Sequence, residues 1–243
     1  IEDMRLIVFM SLCFIVSNLF SQSRLIHVFV ALCDNEHQGI VPVPSSIGDG
    51  TKPKTNLYWG AGYGVRNYFD NKVSDWNLVV DLEASNPFIL DRVLFKHNKY
   101  EIYLLADAYE GEFIKDCIED FMLCANNQQP DTIYVDNKYL IFGGGANLIT
   151  YVGHNGLMDF MIDLSYKHVD ENNKKDVILL GCYSSLYFKE HIRNACANPV
   201  LWTTHLMAPE AYTLHSAIEG WIANESGQQI EERAAQAYNK YQK

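Results

Sequence analysis

Short apolar runs alternate with segments of helical periodicity along most of this 243-residue chain. Each run has four to eight residues that are rich in Val, Ile, Leu or Tyr, which is typical of a buried strand. Between the runs, apolar residues recur every three or four positions, which predicts amphipathic helices. Strands that alternate with helices form a mostly parallel sheet covered on both faces. The predicted strands occupy residues 25–32, 76–82, 100–106, 148–152, 177–180 and 200–204.

The helical segments complete a single α/β domain over residues 24–243, with helices at its C-terminal end. Asn86 and Pro87 indicate a helix start, because Pro is favoured in the first turn of a helix. A small hairpin is predicted around Asp136-Asn137-Lys138, between two short apolar runs. The predicted helices cover residues 56–69, 87–97, 113–122, 186–193, 209–222 and 231–241.

The N-terminal segment has the pattern of a secretory signal peptide. Met4 is the expected start, and residues 6–16 form an apolar run interrupted by a single serine. Ser21 and Ser23 stand at the −3 and −1 positions of a cleavage site, so residues 1–23 are predicted to be removed on export to the periplasm or the medium. The alternative is a buried N-terminal strand or helix. The run is too short to span a membrane and no longer one follows, so we expect no membrane span in the mature chain.

Charge and cysteine content narrow the possible partners. The chain has 19 basic and 30 acidic residues, a net charge of −11, which argues against nucleic acid as a partner. We expect neither a cofactor nor a metal, because the histidines lack the spacing of a metal motif. Five cysteines follow residue 23, namely Cys33, Cys117, Cys124, Cys182 and Cys196. Because this number is odd, at least one thiol stays unpaired.

Two reactive side chains follow neighbouring predicted strands. His154 comes after the run at 148–152, and Cys182 comes after the run at 177–180. Ligands of open α/β sheets bind beyond the carboxyl ends of the strands, so both side chains are expected at the ligand-binding edge. A histidine there can deprotonate a thiol and then protonate a leaving amine. A helix starting after Cys182 would further stabilise its thiolate. The alternative is a buried cysteine and a histidine that caps a strand.

The two blocks Leu148-Ile-Thr-Tyr-Val-Gly-His154-Asn155-Gly156 and Val177-Ile-Leu-Leu-Gly181-Cys182 resemble the motifs of the caspase-like clan of cysteine peptidases. The resemblance implies a caspase-like three-layer α/β sandwich, nearer to the exported gingipains, clostripain and legumains than to caspases proper. It implies a peptide or protein substrate cleaved through a thioester acyl-enzyme, with Cys182 as nucleophile and His154 as acid/base partner. It also implies an oxyanion hole made by the N–H groups of Gly156 and Cys182. The chain departs from the pattern at Asn155, where the family has glycine directly after the histidine.

The resemblance implies that the loop after the first strand forms part of the primary substrate pocket. Asp34 and His37 lie in that loop. A carboxylate at Asp34 would pair with a basic substrate side chain and so direct cleavage after basic residues. Asp159 and Asp163 are alternative carboxylates for the same role.

Two other functions stay open. Cys182 can pair instead with His205, which ends the sixth predicted strand, as in amidotransferase-like hydrolases. The domain can also be a non-enzymatic exported module that binds peptide or a surface partner. Of the remaining histidines, His27 is expected in the core and His97 at the surface.

Overall fold

The computed structural model describes residues 23–242, within which a seven-stranded sheet, a two-stranded hairpin and six helices are formed. The predicted signal peptide lies outside this range apart from Ser23. The strands are β1 Arg24–Ala31, β2 Trp76–Leu82, β3 Ile89–His97, β4 Ile102–Tyr109, β5 Pro130–Val135, β6 Lys138–Gly143, β7 Leu148–Val152, β8 Asp176–Leu180 and β9 Asn198–Trp202. The helices are α1 Val65–Asn71, α2 Ile114–Ala125, α3 Ser184–Tyr187, α4 Lys189–Asn194, α5 Ala211–Ile222 and α6 Gly227–Tyr241.

The large sheet has the order β2-β3-β4-β1-β7-β8-β9. Strand β1 pairs in parallel with both β4 and β7, and the pairings of β7 with β8 and of β8 with β9 are also parallel. Strands β2, β3 and β4 are joined by two antiparallel pairings. The sheet is therefore mixed but mostly parallel, as the sequence predicts.

Helices cover both faces of the sheet. Along β1, Ile26, Val28 and Val30 belong to one buried cluster, which also contains residues of α1, α5 and α6. The alternate positions, including Leu25 and Phe29, belong to a second cluster with residues of α2 and α4. Because successive side chains of a strand point to opposite faces, the two clusters are two core layers. The prediction of an α/β domain with helices on both faces of the sheet is confirmed.

The prediction of a helix over residues 87–97 is wrong, because this segment is the central antiparallel strand β3. Val93 and Phe95 are buried in one core layer and Leu94 in the other. A strand that is buried on both faces reads as a continuous apolar run, and periodicity alone does not separate such a run from a helix.

The loop after β1 is tied to the end of that strand. Asn56 accepts a hydrogen bond from the Cys33 N–H (2.9 Å) and donates one to the Cys33 carbonyl (2.8 Å). Residues 56–64 consequently form turns, and the helix predicted from Asn56 begins only at Val65. The predicted hairpin is confirmed as β5 and β6. Between residues 23 and 242, no helix combines the length and the apolarity needed to cross a bilayer.

Candidate active site

The carboxyl ends of β1, β4, β7, β8 and β9 meet at one edge of the sheet. Strands β2 to β4 lie on one side of β1, and the later strands β7 to β9 lie on its other side, so the direction in which strands are added reverses at β1. Ligands of open α/β sheets bind at such a reversal. His154 follows β7 by two residues and Cys182 follows β8 by two residues, and these strands are direct neighbours. The structure therefore brings the two predicted catalytic residues to one edge.

Cys182 and His154 line the same cavity, whose volume is about 450 Å³. This volume lies in the range of about 300–1,000 Å³ that is typical of ligand sites. The loop after β1, the turn after β7 and the segment after β9 form its walls. Most of the lining is apolar and includes Ile40, Val43, Leu57, Met158, Leu206 and Pro209.

His154 is buried and held at two points. Its Nε2 lies 2.6 Å from Asp159 Oδ2, and its carbonyl accepts a hydrogen bond from the Tyr151 hydroxyl (2.6 Å). Asp159 in turn accepts a hydrogen bond from the Gly39 N–H (3.2 Å). A carboxylate at Nε2 favours the tautomer with its proton on that nitrogen. Nδ1 is then the nitrogen that can take a proton from a thiol.

The contact between Asp159 and His154 is one that sequence reasoning missed. Asp159 is predicted only as an alternative carboxylate for a basic substrate. A 3-10 turn at Gly156–Met158 folds the chain back, so that Asp159, five residues after His154, reaches its ring. Asn155 caps this turn by accepting a hydrogen bond from the Leu157 N–H (3.2 Å). An Asn before a short turn is a local signal that could have revealed this geometry.

Cys182 is half-buried and contacts the segment after β9. Its thiol lies 3.6 Å from the Met207 carbonyl, and the Met207 N–H lies 3.5 Å from Sγ. Cys182 and His154 thus face one cavity without a direct hydrogen bond between their side chains in residues 23–242. Catalytic hydrogen bonds are often long in an unliganded enzyme and shorten in the substrate complex.

The backbone around Cys182 is strained. Tyr183 has φ 50° and ψ 31°, a left-handed conformation that a bulky residue rarely adopts. The Tyr183 N–H donates a hydrogen bond to the His205 carbonyl (3.0 Å). Strain of this kind costs about 1–3 kcal/mol and concentrates at functional sites. The helix that follows, α3, has only four residues, so it gives little of the helix-dipole stabilisation predicted for the thiolate.

Asn155, where the chain departs from the motif of the caspase-like clan, links the loops that carry His154 and Cys182. It is fully buried, and its Nδ2 donates a hydrogen bond to the Cys182 carbonyl (2.6 Å). The N–H of Gly156 donates to the His154 carbonyl (3.1 Å), so this predicted oxyanion donor is engaged within its own turn. The hydrogen bonds of residues 23–242 include none donated by the Cys182 N–H. Of the two predicted donors, only Cys182 is therefore free to bind an oxyanion.

The predicted substrate residues Asp34 and His37 do not line the cavity. Asp34 is buried, and its carboxylate accepts hydrogen bonds from the N–H groups of Glu36 (2.8 Å) and His37 (3.2 Å). It also contacts the His37 ring at 3.0 Å, a hydrogen bond that raises the pKa of this histidine. Asp34 therefore caps its own loop, which is the ordinary role of an aspartate at a turn.

The remaining predicted candidates lie outside the cavity. His205 is exposed, contacts the Thr204 hydroxyl at 2.9 Å, and lines a neighbouring cavity of about 240 Å³. Burial raises the pKa of Cys33 to about 11 and also raises the pKa values of Cys117 and Cys124. Cys196 is partly exposed, and all five described cysteines are free thiols.

A second polar cluster lies at the opposite edge of the sheet. Asp75, His97 and Glu219 place ligand-type atoms within 4.8 Å of one another. The prediction that His97 is a surface residue is wrong, because it is only 3% exposed. Its Nε2 is buried without a hydrogen-bond partner and lies 3.8 Å from a Glu219 oxygen. Burial raises the pKa of Glu219.

The protonation of His97 argues against a metal in this cluster. Nδ1 of His97 accepts hydrogen bonds from the N–H groups of Lys99 (3.1 Å) and Tyr100 (3.3 Å). The neutral ring therefore carries its proton on Nε2, the atom that faces the carboxylates. A protonated nitrogen has no lone pair to give to a metal, so Nε2 is a hydrogen-bond donor here.

Comparisons with family models, with curated proteins and with solved structures found no match for the chain. Its function is therefore inferred from the chemistry of the cavity that holds Cys182 and His154.

Proposed function

We propose that the protein is a cysteine peptidase of the caspase-like kind, exported as the N-terminal pattern predicts. The observation that carries the proposal is the cavity that Cys182 and His154 share, together with the Asp159 carboxylate bound to Nε2 of the imidazole. A nucleophile, a base and a group that orients the base form the arrangement that activates Ser and Cys nucleophiles.

The chemistry uses His154 in every proton transfer. Its Nδ1 takes the proton of the Cys182 thiol, and the thiolate attacks the carbonyl carbon of the scissile bond. A C–S bond forms while the carbonyl π pair moves to oxygen, where the Cys182 N–H donates a hydrogen bond. The tetrahedral state collapses, the C–N bond breaks, and the amine leaves with the proton from His154. Water, deprotonated by His154, then attacks the thioester carbon, so that a C–O bond forms, the C–S bond breaks, and the Cys182 sulfur leaves and regains its proton from His154.

Selective alkylation at pH 6 tests the activation of Cys182. We expect iodoacetamide to modify Cys182 at least about tenfold faster than Cys196, because the thiolate is the reactive form and His154 stabilises it. Both thiols are partly exposed, so Cys196 is the matched internal control. The rates are read by mass spectrometry of each cysteine-containing peptide.

A variant and a contradicting outcome define the alkylation test. His154→Ala should bring the rate at Cys182 down to that at Cys196. If Cys182 in the unaltered protein reacts no faster than Cys196, the thiol is not activated and the peptidase proposal is wrong.

Asp159 acts as a positioning residue for His154. Asp159→Asn is expected to lower kcat/KM by about 10- to 100-fold, less than the roughly 10⁴-fold loss at a fully buried carboxylate, because this side chain is 37% exposed. The loss should fall on kcat with little change in KM, since Asp159 contacts the base and not the substrate. The measurement is kcat and KM for one peptide substrate.

Asp163→Asn is the control for that experiment, because Asp163 is exposed and lies four residues further along the chain. It should leave both kcat and KM unchanged. Equal losses in the two variants would show that Asp159 does not act through His154.

A further inference from the structure

The cavity at Cys182 has walls that suit an apolar side chain. Ile40, Val43 and Leu57 come from the loop after β1, and Leu206 comes from the segment after β9. A cavity of about 450 Å³ has room for a large side chain together with the backbone that carries it.

The two carboxylates near the cavity each already accept hydrogen bonds through one oxygen. Asp159 is bound to the His154 ring. Glu210, which lines the cavity, accepts hydrogen bonds through Oε2 from the Tyr212 hydroxyl (2.8 Å) and from Gln242 Nε2 (3.1 Å). A basic side chain entering here would lose its water and meet mostly apolar surface, which is unfavourable for a charge.

The rim of the cavity exposes apolar side chains to water. Val41 is 87% exposed, Leu206 is 68% exposed and Met158 is 40% exposed, and all three line the cavity. Apolar side chains gathered around a site mark a surface that an apolar ligand covers.

We propose that this cavity binds the substrate residue on the acyl side of the scissile bond and selects a large apolar side chain, such as that of leucine, methionine or phenylalanine. The inference rests on the proposed peptidase function and defines its substrate class. It opposes the preference for basic residues predicted from the sequence, which stays a prediction that the same experiment decides.

Peptide chloromethyl ketones that differ only in the residue next to the ketone measure this selection. The Cys182 sulfur displaces chloride, so a C–S bond forms as the C–Cl bond breaks, and labelling needs no turnover. We expect the leucine ketone to label Cys182 about 50-fold faster than the alanine ketone, because its side chain buries three more carbons. The leucine ketone should also label Cys182 at least about tenfold faster than the arginine ketone.

Leu206→Glu tests whether the cavity wall sets the preference. A carboxylate placed at the wall should lower the leucine-to-arginine ratio of labelling rates by about tenfold. Leu186→Glu is the matched control, because Leu186 is 70% exposed and lies outside the cavity lining. It should leave the ratio unchanged. Both side chains are mostly in water, so neither variant disturbs the core.

Each outcome bears on one of the two proposals. Faster labelling by arginine than by leucine overturns the apolar selection. Equal rates for leucine, alanine and arginine also overturn it, while rapid alkylation of Cys182 by iodoacetamide would leave the peptidase proposal intact. If Cys182 is inert to iodoacetamide as well as to every ketone, both proposals fall.

Discussion

His154→Ala is expected to lower kcat/KM for peptide cleavage by about 10²–10⁴-fold, the usual contribution of a general acid–base group. His205→Ala is expected to leave kcat/KM within about twofold. The reason is placement, because His154 lines the cavity that contains Cys182, whereas His205 lines the neighbouring one. Peptides with leucine before the scissile bond are the substrates, and the two variants are measured side by side.

The buried position of His154 makes a folding control necessary. His154→Gln keeps a polar side chain of similar length at this site, and its urea midpoint should lie close to that of the unaltered protein while its activity stays low. Loss of activity together with an unchanged midpoint assigns the effect to chemistry.

The opposite pattern would change the assignment. Activity that survives His154→Ala and disappears in His205→Ala would favour the amidotransferase-like pairing of Cys182 with His205. If neither variant changes a measurable activity, neither histidine is the acid–base group that acts with Cys182. A protein that binds peptide without turnover in any form would be the non-enzymatic module.

Local sequence patterns are sufficient to predict the sheet edge that carries His154 and Cys182. The runs that became β7 and β8 are short, strongly apolar and bounded by glycine, so their ends and the positions of His154 and Cys182 follow from the sequence. The general rule for open α/β sheets then brings both residues to one edge. The caspase-like identity goes beyond this and stays a prediction.

The parts that were missed depend on tertiary contacts. Strand β3 has both faces buried, so its pattern does not distinguish strand from helix. The resemblance places Asp34 in the primary pocket, whereas its loop folds so that the carboxylate caps the N–H groups of Glu36 and His37. Asp159 reaches His154 only through the turn between them. In each case the partner of a polar group is decided by the fold around it.

Arg92 joins a buried charge network that no sequence pattern predicted. It donates from Nε to Asp107 Oδ1 (2.6 Å), from Nη2 to Asp107 Oδ2 (2.7 Å) and from Nη1 to Asp131 (2.7 Å). His27 accepts a hydrogen bond from the Gly143 N–H at Nδ1 (3.0 Å), so its Nε2 carries a proton toward Asp107 (2.9 Å). Burial alone would raise the pKa of Asp107, but His27 and Arg92 outweigh burial and hold this pKa below its usual range.

Arg92→Met is expected to lower the free energy of unfolding by about 3–5 kcal/mol at pH 7, because it leaves the fully buried Asp107 carboxylate without its bidentate partner. Methionine keeps much of the side-chain volume, so the loss reports the charge. The free energies come from urea unfolding, with the slope compared between the proteins. Arg193→Met is the matched control. Its side chain is 70% exposed and pairs with Glu190 at the surface, so its effect should stay within about 0.5 kcal/mol.

The pH dependence separates a charge effect from a packing effect. In the unaltered protein the lowered pKa of Asp107 contributes stability above the unfolded pKa, and this contribution is lost as the pH falls through the folded pKa. Without Arg92, His27 alone opposes burial, so the folded pKa of Asp107 should rise. The destabilisation is then largest at neutral pH, and the difference between Arg92→Met and the unaltered protein should shrink as the pH falls from 7 to about 3.5 and the carboxyl takes a proton. A difference that stays constant over this range would assign the loss to packing around residue 92, and the network would then be an ordinary part of the core.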